Sequence, residues 1–284
     1  RRCGIEERIR HRMIADGRKI ASDILAEVKT RIEGSAPIVR AITVRPSPAT
    51  ESYLRIKTQR AAEGGMQLEV VKLPDDANED AIIAAILAPN ADAVIVQLPI
   101  PETLDLQRIL NAIPLDKDAD VLSDAAYARF ENGEADALIP PVAAGVLEIL
   151  SRTGVVVKGK NVVVVGRGQL VGKPCAIALS RLGAEVSVVH RETEHPEALY
   201  KAADIIVSGV GKSYLVTPDV VREGVVLIDA GTSGANGAVS GDIDPACAEK
   251  ASVFTPVPGG VGPVAVSCLF SNTARLVSKG KDLA

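Results

Sequence analysis

Tyr53 and Lys57 stand four residues apart in Ser52–Glu63, a stretch whose pattern predicts a helix, so phenol and amine share one face. Such a pair is a candidate stacking surface with an acid/base group. On spacing alone the simpler alternative is a lysine stem lying along a half-buried ring. Gln97, in Val96-Gln97-Leu98-Pro99-Ile100-Pro101, sets an amide at the carboxyl end of a hydrophobic run, where it either binds a ligand or is satisfied by backbone. Lys117-Asp118-Ala119-Asp120 supplies two loop carboxylates, able to accept N–H donors from a planar heterocycle or merely to solvate a turn.

A second group of residues suits a nucleotide. Val162-Val163-Val164-Val165 runs into Gly166-Arg167-Gly168-Gln169-Leu170-Val171-Gly172-Lys173-Pro174, a glycine turn between a buried strand and a helix. Such a turn lets backbone N–H groups approach a pyrophosphate at the positive helix end. The spacing is G-x-G-x-x-x-G, and the strand-turn-helix context carries the reading. The next strand of a dinucleotide fold ordinarily ends in an acid that binds the adenine ribose. Here it ends in Val189-His190-Arg191, and Arg191 with Arg167 suits a ribose phosphate, which favours NADP; Glu192 keeps NAD possible. Ser208-Gly209-Val210-Gly211-Lys212 and Ile228-Asp229-Ala230-Gly231 set more glycine at the carboxyl ends of strands, where a cofactor passes close to backbone. Thr255-Pro256-Val257-Pro258-Gly259-Gly260-Val261-Gly262-Pro263 is a rigid loop poor in side chains, suited to be a wall against a ligand.

The elements that must position these groups alternate between strand-length apolar runs and helical patterns, the signature of an α/β fold built from βαβ units. One series has a helix with Ile20, Ile24, Val28 and Ile32 on one stripe, strands at Ile38–Val44, Leu68–Leu73 and Ala93–Leu98, and helices at Ser52–Glu63 and Glu79–Leu87. Thr50 and Asn78 stand at the expected N-caps. The other series has strands at Asn161–Val165, Glu185–Val189, Asp204–Val207, Val225–Asp229 and near Val253. Two domains are expected. Residues 13–139, completed by a C-terminal helix within 263–284, form the first; residues 140–262 form a Rossmann-type nucleotide-binding domain, with a cleft between the two and a flexible extension over 1–12.

Composition agrees with a helix-covered parallel sheet. Aromatic residues are 2% of the 284 and Trp is absent, so the core is aliphatic and an aromatic platform for single strands is excluded. A net charge of −4 offers no surplus of cations for nucleic acid. The four cysteines are far apart, without metal-ligand or disulfide spacing, and no run is long and apolar enough for a membrane span; a cytoplasmic protein without a metal is expected.

At these residues the chain resembles the methylenetetrahydrofolate dehydrogenase/cyclohydrolase family of bifunctional folate enzymes. The resemblance is carried by Ile14-Ala15-Asp16-Gly17, Tyr53-x-x-x-Lys57, Val96-Gln97-Leu98-Pro99, Lys117-Asp118-x-Asp120, Gly166-Arg167 through Pro174, and Thr255 through Pro263. It implies oxidation of 5,10-methylenetetrahydrofolate with NADP, then hydrolysis of the methenyl product to 10-formyltetrahydrofolate, neither step needing a metal. Tyr53 would stack on the folate, Lys57 do the acid/base and charge-positioning work, Gln97 orient it, and Asp120 hold the pterin N–H groups. Leu98, Pro258, Gly259 and Gly260 would complete the folate contacts. Gly166, Arg167, Gly168, Val171, Gly172, Arg191, Gly209, Val210, Gly211 and Gly231 would hold the dinucleotide, and a homodimer is implied. The family's Asp-Gly-Phe-His-Pro reads Asp120-Val121-Leu122-Ser123-Asp124 here, its Gly-Arg-Ser reads Gly166-Arg167-Gly168, and its usual Ser is replaced by Arg191. These departures leave two alternatives beside the bifunctional enzyme: a dehydrogenase alone, and a non-catalytic binding paralogue.

Overall fold

The computed structural model describes residues 12–235 and 238–282, so the extension expected over 1–12 lies outside the described residues except for Arg12. In chain order the elements are β1 (Met13–Ile14), α1 (Gly17–Arg31), β2 (Ile38–Val44), α2 (Pro48–Glu63), β3 (Gln67–Leu73), α3 (Glu79–Leu87) and β4 (Ala93–Val96), then α4 (Leu106–Asn111), α5 (Asp124–Asn132) and α6 (Pro141–Arg152). There follow β5 (Asn161–Val165), α7 (Gly172–Arg181), β6 (Glu185–Val189), α8 (Glu197–Ala202), β7 (Ile205–Ser208), β8 (Val226–Asp229), the pair β9 (Ser233–Ala235) and β10 (Ala238–Ser240), β11 (Val253–Phe254) and α9 (Val261–Asp282). Contacts divide the chain into two units: Arg18–Gly145 with the chain from Pro263 on, and the chain up to Gly17 with Val146–Gly262.

The first unit is built on a parallel sheet of order β3-β2-β4. Ile42 and Val44 of β2 and Val94 and Val96 of β4 share one core with Ile82 and Ile86 of α3 and Ile109 of α4. Because strand side chains alternate, Ala41, Thr43, Ile95 and Gln97 face the other way. The stripe Ile20, Ile24, Val28 and Ile32 is buried as its spacing requires. Helix α2 starts at Pro48, ahead of the expected Ser52, and its cap is Ser47, not Thr50. Ser47 Oγ accepts from the Thr50 N–H at 3.1 Å, and Pro48 suits a first turn whose N–H groups have no helical partner. That turn carries little inward-facing apolar surface, which is why periodicity starts the helix late. Strand β4 stops at Val96: the Gln97 N–H still donates to Ile42 O, but Pro99 has no N–H with which to extend the ladder. From α9, buried Asn272 donates to the carbonyls of Ala119 and Ile139, both at 2.9 Å, pinning the loop that carries the paired carboxylates.

The second unit holds a parallel sheet of order β1-β11-β8-β7-β5-β6. Counted from β5 this is the doubly wound order 2-1-3-4-5, and the order reverses between β5 and β7, where such a sheet leaves a crevice at its carboxyl edge. The central strands β5, β7 and β8 are near-continuous Val, Ile and Leu and almost wholly buried, as strands covered on both faces are. Met13–Ile14, expected in the first domain, pairs in parallel with Val253–Phe254 and so extends the second unit's sheet. The division near Pro140-Pro141 falls inside α6, after Gly145.

Candidate active site

Lys57 is 6% exposed, on the inward side of α2. Its Nζ donates to Gln97 Oε1 at 3.0 Å, while Gln97 Nε2 donates to Leu98 O at 2.8 Å, so the amide is held with its oxygen toward the amine. The same Nζ lies 5.2 Å from the centre of the Tyr53 ring, within cation–π range. Burial lowers the Lys57 pKa, with the Asp120 carboxylate opposing. Desolvation raises the Asp120 pKa, with Lys57 pulling it down and Asp118 pushing it up. Tyr53 keeps 40% of its surface exposed, yet its phenol is pushed up to about 12, first by desolvation and then by Asp120. Tyr53, Lys57, Gln97 and Asp120 are thus brought together within the first unit. Among the described residues the hydrogen-bond partner of this amine is a neutral amide, which does less than a carboxylate would to hold its proton.

The two carboxylates of the Asp118-Ala119-Asp120 loop divide their work. Asp118 is fully buried and accepts from the Leu122 N–H, the Ser123 N–H and Ser123 Oγ, the last two at 2.8 and 2.7 Å, so it closes the turn. Asp120 is left partly exposed beside Lys57. The structural alternative holds for Asp118, and Asp120 is the carboxylate left beside the amine.

In the second unit the glycine turns after β5, β7 and β8 meet. Gly168, Val171, Gly209, Val210, Gly211 and Gly231 line a hollow of about 360 Å3 with Gln169, Leu170, Ala230 and Thr232. A Cβ on Gly166 would lie 3.3 Å from Gly209 O, and one on Gly172 only 2.1 Å from Gly166 O, so the turn closes on itself only with glycine there. A glycine-rich crevice at the point where strand order reverses fits the phosphates of a dinucleotide. Arg167 follows β5 and Arg191 follows β6, and Glu192 stands between them: its Oε2 is 3.5 Å from Arg167 Nη2 and its Oε1 is 3.6 Å from Arg191 Nε. One guanidinium beyond the carboxyl end of each of these two neighbouring strands fits a ribose phosphate. Pro258, Gly259 and Gly260 belong to this unit; the Gly260 N–H donates to Pro256 O at 2.8 Å, and a Cβ on Gly17 would strike Gly260 O at 1.9 Å.

Asp242 escaped the reading of the sequence and holds the hollow in shape. It is fully buried; its Oδ2 accepts from Ser208 Oγ at 2.7 Å and from the Val210 N–H at 2.6 Å, and its Oδ1 from the Lys212 N–H at 2.8 Å. On the neighbouring strand Asp229 acts in the same way, accepting from the N–H groups of Gly231, Asp242 and Ile243. Burial pushes the Asp229 carboxyl up to about 6, with the neighbouring Asp242 adding to the rise and the backbone donors opposing it. The available signal was a lone acid in the otherwise small and apolar run Val239-Ser240-Gly241-Asp242-Ile243.

Two family models match: the tetrahydrofolate dehydrogenase/cyclohydrolase catalytic domain over residues 15–120, and the NAD(P)-binding domain of the same enzymes over residues 140–281. The bifunctional protein FolD of Thermus thermophilus is 37% identical over 266 residues, covering 92% of this chain and 94% of the relative. The crystal structure of the bifunctional FolD enzyme of Campylobacter jejuni superposes with a TM-score of 0.90 at 29% identity, covering 94% of this chain and 99% of that one. The Trypanosoma brucei methylenetetrahydrofolate dehydrogenase-cyclohydrolase, solved with NADP and an inhibitor, gives a TM-score of 0.89 at 31% identity, covering 95% and 98% of the two chains.

Replacing Asp242 by Ala strands a buried hydroxyl and two partly buried N–H groups. The variant is expected to lose about 2–4 kcal/mol of unfolding free energy in denaturant titration and to bind dinucleotide more weakly. An unchanged midpoint would sink the assignment of Asp242 as the brace of this hollow.

Proposed function

This chain belongs to the tetrahydrofolate dehydrogenase/cyclohydrolase family, and from that premise we propose that Lys57 is the group on which both of its activities turn. Those activities are the oxidation of 5,10-methylenetetrahydrofolate to the methenyl compound with NADP, and the hydrolysis of the latter to 10-formyltetrahydrofolate. The observation that carries the reading is the buried 3.0 Å hydrogen bond from Lys57 Nζ to the neutral Gln97 amide.

The chemistry that bound NADP would supply is a hydride acceptor for the methylene carbon. Hydride loss leaves a cation spread over two nitrogens and the carbon, so a second fixed positive charge beside it raises the barrier. A neutral amine removes the conflict. Lys57, its pKa lowered by burial, then takes a proton from the water that adds to the methenyl carbon. Gln97 aims the amine, and Tyr53 offers a ring face to the pterin while shielding the amine from water. Asp120, a carboxylate beside Lys57, accepts the pterin N–H groups. Holding substrate and water in line is what this arrangement contributes, and fixed geometry of that kind accounts for much of a catalysed rate. On the other unit, the glycine turns would hold the pyrophosphate and Arg167 and Arg191 the ribose phosphate.

The same reading makes the protein a cytoplasmic homodimer. The exposed Val188 on the sheet's edge strand β6 and the buried thiols Cys175, Cys247 and Cys268 support it. Among the described residues no helix is long and apolar enough to cross a membrane. Sedimentation equilibrium and cell fractionation test the two statements; a monomer at micromolar concentration, or recovery in another compartment, counts against them.

Lys57→Met is expected to abolish hydrolysis of the methenyl compound, a loss of at least about 100-fold, while NADP binding by calorimetry stays unchanged. Undiminished hydrolysis refutes the assignment. The sign of the pH dependence follows from the neighbours: Asp120 raises the Lys57 pKa, so Asp120→Asn lowers it further. The acid limb of the hydrolysis profile, where the amine becomes protonated, should move to lower pH in that variant whatever happens to its maximum. A limb that stays in place or moves up would show that another group titrates.

A further inference from the structure

We propose that Glu192 sets the balance between phosphorylated and unphosphorylated dinucleotides, by placing its own carboxylate where the ribose 2′-phosphate would sit. The inference rests on the NADP reading above and concerns a residue to which that reading gives no role. Strands β5 and β6 are parallel neighbours in register from Asn161↔Glu185 to Val165↔Val189, so their carboxyl ends open side by side. Arg167 comes from the first and Arg191 from the second. Glu192 spans the gap with one oxygen toward each guanidinium, at 3.5 and 3.6 Å.

The backbone beneath Glu192 is fixed while its side chain is loose. The His190 N–H donates to Thr193 Oγ1 at 3.0 Å and the Thr193 N–H to His190 O at 2.8 Å, closing the turn. The Glu192 N–H donates to His190 Nδ1 at 3.3 Å, and that ring nitrogen also lies 3.8 Å from Glu192 Oε2. The carboxylate itself is 58% exposed, and its arginine distances exceed the ~2.7–2.9 Å of a tight charge-assisted hydrogen bond. An exposed ion pair of this kind contributes little stability, so a phosphate of nearly two negative charges displaces it. Displacement still costs something, because the arginines lose a partner and the carboxylate must leave a growing negative potential. An unphosphorylated ribose meets the opposite situation: its hydroxyls are donors and Glu192 is the acceptor they need. One side chain therefore opposes the 2′-phosphate and serves the bare ribose.

The test is direct titration of NADP and NAD into the full-length protein by calorimetry without folate, comparing the parent with Glu192→Gln. The substitution keeps the shape at an exposed position and removes only the charge. The expected result is a Kd for NADP lowered about tenfold, with the Kd for NAD unchanged or raised, so that the ratio of the two moves toward NADP. A ratio within twofold of the parent's overturns the inference and leaves the NADP reading standing. If the parent binds neither dinucleotide, the reading of this unit fails and the role of Glu192 falls with it.

Discussion

A cation taken out of water must be paired, stabilised by a field or deprotonated, and Lys57 is held where that choice is unavoidable. Its nearest acceptor is an amide oxygen, which supplies a dipole and no charge. A carboxylate at the same 3.0 Å would have kept the amine protonated; Gln97 orients it and leaves it free to lose the proton. The orientation is itself secured. Gln97 spends its donor on Leu98 O, so the only side-chain oxygen that can face the amine does so. The parallel sheet supplies the rest, because the alternation that buries Val96 on one face turns Gln97 toward the other.

The nucleotide-binding unit solves a different problem with buried carboxylates. The loops that form the crevice are rich in glycine and offer few side chains of their own for packing, so beside the contact of Val171 with Gly209 they are held from behind. Asp242 and Asp229 do this through backbone N–H groups of the loops after β7 and β8. The fit is close: a Cβ on Gly231 would lie 2.1 Å from the Asp242 carboxyl carbon, and one on Gly241 the same distance from Asp229 Oδ2. Glycine at these places serves the brace as much as the ligand.

What could be read from the chain follows from what each signal measures. Apolar runs of strand length report the strands themselves, and those predicted at Ile38–Val44, Asn161–Val165 and Glu185–Val189 have those same bounds, although the last is an edge strand with Val188 exposed. The four residues brought together in the first unit were legible through their types and spacing with the family resemblance. Capping is local chemistry independent of apolar periodicity, so Ser47 was missed and Thr50 chosen instead. Pairing between distant segments leaves no local trace, which hid the union of Met13–Ile14 with β11. Asp118 and Asp120 could not be told apart because nothing in a loop sequence says which carboxylate will find the backbone donors of the following turn. Asp242 had no periodic context at all.

The departure that stands nearest Lys57 and Asp120 is Val121, where the family's Asp-Gly-Phe-His-Pro pattern has glycine directly after the acid. Its φ is +58°, the left-handed region that a β-branched residue adopts only under constraint. The constraint is on both sides of it. Asp118 accepts from the two N–H groups that follow, and Asn272 holds the carbonyl of Ala119 just before. The backbone strain costs about 1–2 kcal/mol, whereas burying a valine side chain contributes about 1.5–3 kcal/mol, and Val121 is 1% exposed. Packing offsets the lost glycine, so the loop keeps the conformation that leaves Asp120 beside Lys57. The desolvated amine, the oriented amide and the strained loop stand in one place, and the burial of Lys57 supports the proposed role, in which the site uses the proton that burial makes easier to lose.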